Sequence, residues 1–171
     1  IIQDKHTNLK TNLNIETSDF GKEYLSIRER DVSMAAVAYK VMSMLNALTN
    51  EQDYDTSVKN LSQELTKTFT KSTPSETMID SANIVDTIEN CIENTVSVNK
   101  RIKIKKLIKR SQEIIDNTTT SGSKTSDEKL QDMERINKFS NIPIDTIDSD
   151  SSKDLDTLTI DDLNDQVINT Q

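Results

Sequence analysis

Glycine and proline are almost missing from this 171-residue chain, which has two of each: Gly21 and Gly122, Pro74 and Pro143. Loops that cradle phosphate need several glycines, because the backbone N–H groups must approach the anion closely. Walker A and dinucleotide-binding fingerprints are therefore excluded. Many-stranded sandwiches also spend glycine at their turns, so its scarcity favours helices. Tryptophan is absent and aromatics make up 4%, which leaves Ile, Leu, Val, Met and Ala to build any core. The apolar share is 33%, against roughly 45–50% in an ordinary globular domain. One domain of this length can form a core, but so thin a core points to a protein completed by partners or by copies of itself.

Histidine and cysteine occur once each, as His6 and Cys91. No zinc constellation can be assembled from them, and an intrachain disulfide is impossible. His6 lies in irregular polar sequence without an acid or nucleophile at patterned spacing, and a general base needs positioned partners. Cys91 sits on an apolar stripe, whereas reactive thiols need an exposed, electropositive setting. Asp148, Asp150 and Ser152 imitate the start of a calcium loop, but Lys153 stands where glycine is required and Thr159 where the bidentate Glu belongs. The expectation is a non-enzymatic protein with no cofactor, no metal and no small-molecule substrate.

The formal net charge is −8, and its placement matters more than its size. Residues 127–171 contain twelve acids and four bases, and the part before them is balanced. Global acidity therefore says nothing against nucleic acid, since the whole excess is in the tail. No charged-then-apolar leader opens the sequence, which gives the expectation of an intracellular or virion protein. A first residue other than Met is expected of a fragment or processed product. The Asn/Ile/Lys/Asp-rich composition is typical of AT-rich genomes, including those of phages and viruses.

Apolar periodicity predicts a mainly α fold: a small irregular bundle of about four to five helices, with an extended N-terminal arm and an acidic C-terminal tail. Residues 1–25 read as the arm, 26–116 as the helical core, 117–127 as a Ser/Thr linker, and 128–171 as a short helix followed by the tail. The capping box Ser26–Glu29 opens a helix over Ile27–Leu48, and Thr49–Gln52 is a second such box. The seam Tyr54, Val58, Leu61, Leu65, Phe69 marks the next helix. Thr73-Pro-Ser-Glu76 opens a third, carrying Met78, Ala82, Val85, Ile88, Ile92 and Val96. The apolar phase changes near 99–102, so a break is expected there. Beyond it Ile104, Leu107, Ile108, Ile114 and Ile115 share one arc. "VSVNKRIKIK" also admits two short strands, but Asn-Lys is a poor hairpin turn. Ser126 or Asp127 should cap a short helix with Leu130, Met133 and Ile136.

Residues 31–48, DVSMAAVAYKVMSMLNAL, are unusually apolar. They are too short and too interrupted by Ser33, Lys40, Ser43 and Asn46 to cross a membrane, which takes about 20 apolar residues. One side carries Met34, Val37, Ala38, Val41, Leu45 and Leu48, with Met44 and Met42 at its edges, and the other Ala36, Ser43 and Ala47. The expectation is a central helix with the second and third helices on its large face. Its small face, Ala36, Ser43 and Ala47, is then left for a close neighbour.

Two further features invite partners. Lys100, Arg101, Lys103, Lys105, Lys106, Lys109 and Arg110 crowd seven cations into eleven residues without an acid. That pattern fits phosphate backbone, an acidic protein surface including the chain's own tail, or a solvated helix face. No aromatic is interleaved, so single-strand stacking is not expected. In the tail, Leu155, Leu158, Ile160, Leu163 and Val167 alternate with Asp, as in a linear motif that docks in a groove. The resulting expectation is a structural or assembly subunit of a large complex, a phage or virus particle foremost, using arm and tail to tie neighbours together. The alternative is a nucleic-acid-associated accessory factor, its basic helix on phosphate and its acidic tail on a polymerase-like partner.

Overall fold

The computed structural model describes residues 32–69, 84–146 and 159–160. The arm, the Ser26–Glu29 and Thr73–Glu76 boxes, His6 and most of the tail, with Leu155, Leu158, Leu163 and Val167, lie outside the described residues. Within them the fold is mainly α, with five helices and no strand. These are α1 (Val32–Thr49), α2 (Tyr54–Phe69), α3 (Ile84–Glu89), α4 (Val98–Thr120) and α5 (Ser126–Phe139), followed by a 3₁₀ turn at Ile144–Thr146. No helix among the described residues is long and apolar enough to cross a membrane.

α4 is the axis of the bundle, and it packs most extensively on α1, then on α5 and α3. Ile104, Leu107, Ile108, Ile114 and Ile115, the arc expected from the sequence, are all buried. α1 presents to this core the small face together with Met44 and Leu48 from the expected large one, and leaves the rest of the large face half-covered. Ala35, Ala36, Tyr39, Ser43 and Ala47 are buried, together with Met44 and Leu48. Val37, Ala38, Val41 and Leu45 are only half-buried, and Met42 is exposed. The physical reason is close packing: small residues on α1 let the backbones approach, and the large side chains of α4 supply the volume. Polar bonds fix the same register. Gln112 of α4 donates from Nε2 to the Lys40 carbonyl (3.1 Å) and to Ser43 Oγ (3.0 Å). On the α5 side Asn46 Nδ2 donates to Asn137 Oδ1 (2.8 Å) and to Ser140 Oγ (3.2 Å).

The helix boundaries differ from expectation where side-chain caps decide them. Asp53, rather than Thr49, caps α2, its carboxylate accepting from the Thr56 N–H at 3.0 Å. Thr49 belongs to the last turn of α1 and donates to the Asn46 carbonyl. The buried seam of α2 runs through Ser57, Leu61 and Leu65, while Tyr54 at the first position is exposed. α3 stops at Glu89, earlier than the phase change suggests, and Ser97 caps α4 by accepting from Lys100 N. Between them Cys91, Ile92 and Val96 are buried without being helical. Gln52 and Asn60 both donate to the Cys91 carbonyl, and Gln52 Oε1 accepts from Glu93 N. Arg101 reaches back to the carbonyls of Val96, Ile92 and Glu93. These bonds satisfy the backbone groups that a helix would otherwise pair internally.

α4 then continues through Asn117–Thr120, which composition alone reads as linker. Thr118 is buried, and Thr119 and Thr120 turn their hydroxyls onto carbonyls four residues back. Thr125, one residue before the expected caps, forms a full capping box with Glu128 and starts α5. Met133, Ile136 and Phe139 are buried on its inner face, and Ser140 closes it ahead of Pro143. Ile144 tucks into the core against α4.

Candidate interface on α4

The basic run falls on the first half of α4, and the fold divides its seven cations into two groups. Four are held by acids of this chain. Lys100 Nζ lies 2.8 Å from Glu51 and 4.0 Å from Asp145. Lys105 lies 2.5 Å and Arg101 3.4 Å from Glu89, and Arg110 lies 3.0 Å from Glu113 one turn on. Electrostatics follow the pairing. The Lys105 hydrogen bond holds the Glu89 carboxyl below its ordinary value against the opposing cost of burial, with the charges of Lys105 and Arg101 acting the same way. The Glu51 hydrogen bond, with Asp145 and Glu51 charge, raises the Lys100 ammonium despite some desolvation.

Lys103, Lys106 and Lys109 make no ion pair among the described residues. They recur every third residue, which on a 100° helix draws a slanted row across the outer face. Lys106 and Lys109 are exposed and Lys103 is half-buried. Beside that row stand two aliphatics one turn apart, Val98 and Ile102, which are 72% and 44% exposed. A helix whose inner face fills the core thus shows solvent a strip of lysines and two uncovered β-branched side chains. The expected break near 99–102 leaves Val98 in the preceding helix, whereas it is the first residue of α4. Ser97, an N-cap residue just before the basic run, is the signal that could have moved the boundary.

The other sequence candidates are dispersed. Ala36, Ser43 and Ala47 are enclosed by this chain's own helices, Ser43 against Gln112. Of the tail motif only Ile160 is described, half-buried against the core on the far half of α4. Cys91 is fully buried, its thiol donating to the Thr87 carbonyl, and burial followed by Glu64 charge pushes its pKa up to about 12. Such a thiol stays protonated and is a poor nucleophile. Among the described residues no group of three or more His, Cys, Asp or Glu is placed to hold a metal ion. Comparison with protein-family models, with curated proteins and with solved structures finds no match to this chain.

Proposed function

We propose that the chain is a non-enzymatic assembly subunit whose outer α4 face binds an acidic protein partner within a larger complex. The observation that carries this reading is the pairing of Val98 and Ile102, exposed, with Lys103, Lys106 and Lys109, which no described acid engages. A phosphate backbone makes use of lysines but has nothing to cover aliphatics. A protein segment that mixes acids with aliphatics uses both, burying the apolar pair at about 25 cal/mol per Å² while its carboxylates meet the ammonium row. Composition supports a phage or virus particle as the assembly, through its AT-rich-type residue usage and its low apolar content.

The test titrates the full chain with two fluorescent probes over a salt series: a peptide of alternating acidic and aliphatic residues, and a 20-base-pair DNA duplex. The peptide should bind, and both Ile102→Ser and the pair Lys106→Glu with Lys109→Glu should remove that binding. Peptide binding that ignores these substitutions, or no binding at all, overturns the proposal. DNA binding with a log–log salt slope of about −2.7, the value for three phosphate contacts at roughly 0.9 each, and indifferent to Ile102→Ser, would assign the face to nucleic acid instead.

A further inference from the structure

A second surface lies on the other half of the same helix. Arg110, Ile114 and Thr118 of α4 and Lys124 of the following loop wall a recess of about 210 Å³, and Thr159 and Ile160 of the tail complete its lining. Pockets for drug-sized ligands begin near 300 Å³, so the space left beside Ile160 has room for one or two further side chains. Ile114 and Thr118, each 4% exposed, form its floor, and its rim carries Arg110, paired with Glu113, and Lys124. Ile160 packs onto the core from there, half-buried. Lys124 is itself held in place by the buried carboxylate of Asp132, which also takes Arg135 at 2.9 Å. The rim is therefore built from a fixed cation.

The sequence around Ile160 has the complementary chemistry: Asp154-Leu-Asp-Thr-Leu-Thr precedes it and Asp-Asp-Leu163 follows it. Twelve residues separate Thr146 from Thr159, a length that can span up to about 40 Å when extended. A tether of that length keeps its end at an effective concentration on the order of millimolar.

We propose that this stretch of α4 is a docking site for acidic–aliphatic segments and that its occupant is the chain's own tail, which seats Ile160 against the core as one wall of the recess. The tail is then a built-in competitor. A partner segment of like chemistry binds only to the fraction of molecules whose recess is open, and its apparent affinity falls by that fraction. The inference concerns a different half of α4 from the lysine face and stands whether or not that face binds a partner.

The test uses the full chain and a fluorescein-labelled peptide of its residues 154–168, read by anisotropy and by sedimentation. Ile160→Asp should bind the peptide at least about tenfold more tightly than the parent chain, with helical circular dichroism unchanged. Adding Asn117→Glu, an exposed position on the rim, should abolish that binding by repelling the acids without touching the core. Equal affinity for the parent and Ile160→Asp chains, or binding indifferent to Asn117→Glu, overturns the proposal. So does a concentration-dependent dimer of the parent chain that Ile160→Asp dissolves, because the occupant would then be the tail of a second copy.

Discussion

Gln112 offers a sharp test of how α1 and α4 are joined. It is fully buried, and its amide nitrogen donates to the Lys40 carbonyl and to Ser43 Oγ, yet its Oε1 has no hydrogen-bond partner among the described residues. Flipping the amide would not help, since Oε1 would then face the Lys40 carbonyl, another acceptor. Two neutral hydrogen bonds contribute about 1 kcal/mol each, and an unsatisfied buried acceptor costs about 1–3 kcal/mol. The two contributions nearly cancel. Ser43 does not become an orphan if Gln112 is removed, because its hydroxyl already donates to the Lys40 carbonyl at 2.8 Å. Gln112→Met, close in volume and free of polar atoms, should therefore change stability by less than about 1 kcal/mol. For a chain of this size that is a shift of about 2–4 °C or less in Tm. Gln112→Glu should cost about 3 kcal/mol or more, since it sets an unpaired carboxylate against two acceptors in the interior. Urea unfolding followed by circular dichroism reads both. A loss above about 2 kcal/mol for Gln112→Met would refute the reasoning, for it would mean that Oε1 is well satisfied in solution.

Cys91 should resist thiol reagents at pH 8 in the folded chain and react at once in denaturant; fast labelling of the native protein would contradict its burial. Its thiol is held protonated by the fold, with the pKa pushed from about 9 to about 12, so this contribution to stability is complete below pH 9 and is lost as pH rises from there. Cys91→Ala should flatten that alkaline limb of the Tm profile. Glu89 works at the other end of the scale. Its carboxyl is held below the ordinary 4.5 by Lys105 and Arg101, so its contribution is present above pH 4.5 and fades as pH falls through the depressed value. The pair is exposed, and the effect should be on the order of a few tenths of a kcal/mol. Glu89→Gln should lower Tm slightly at pH 7 and leave it unchanged near pH 2; an equal drop at both would point to lost packing instead of charge.

What could be read in the sequence follows the physics of each feature. Five isoleucines and leucines on one arc of α4 announce its inner face, because that arc recurs every 3.6 residues whatever surrounds it. The side of α1 that turns inward was not legible from size alone. Both its faces are apolar, and the choice falls to fit against α4, to bonds from Gln112 and to the bond Asn46 donates to Asn137, partners distant in sequence. Caps shift boundaries in the same way. Thr49–Gln52 has the form of a capping box, but Asp53 does the capping, because Gln52 is spent on Cys91 and Glu93 across the bundle. The threonines at 118–120 read as linker by composition, and they are helical because the first is buried and the others bond back to their own turn.

The basic run shows why charge counts in sequence overstate a binding site. Seven cations without an intervening acid suggest seven available contacts, but partners on other elements arrive only with the fold. Glu51 comes from the α1–α2 turn, Glu89 from the end of α3, and Asp145 from the 3₁₀ turn. Arg101 is spent most completely, since its guanidinium also closes the α3–α4 break by bonding three carbonyls there. Replacing it should damage the fold before it damages any binding. The cations of this run that no described acid engages are Lys103, Lys106 and Lys109. One stretch of sequence thus holds the bundle together through one set of side chains and faces outward through another, at interleaved positions. A charge-reversal series across all seven positions would mix the two effects, whereas one confined to the outward three isolates recognition from stability.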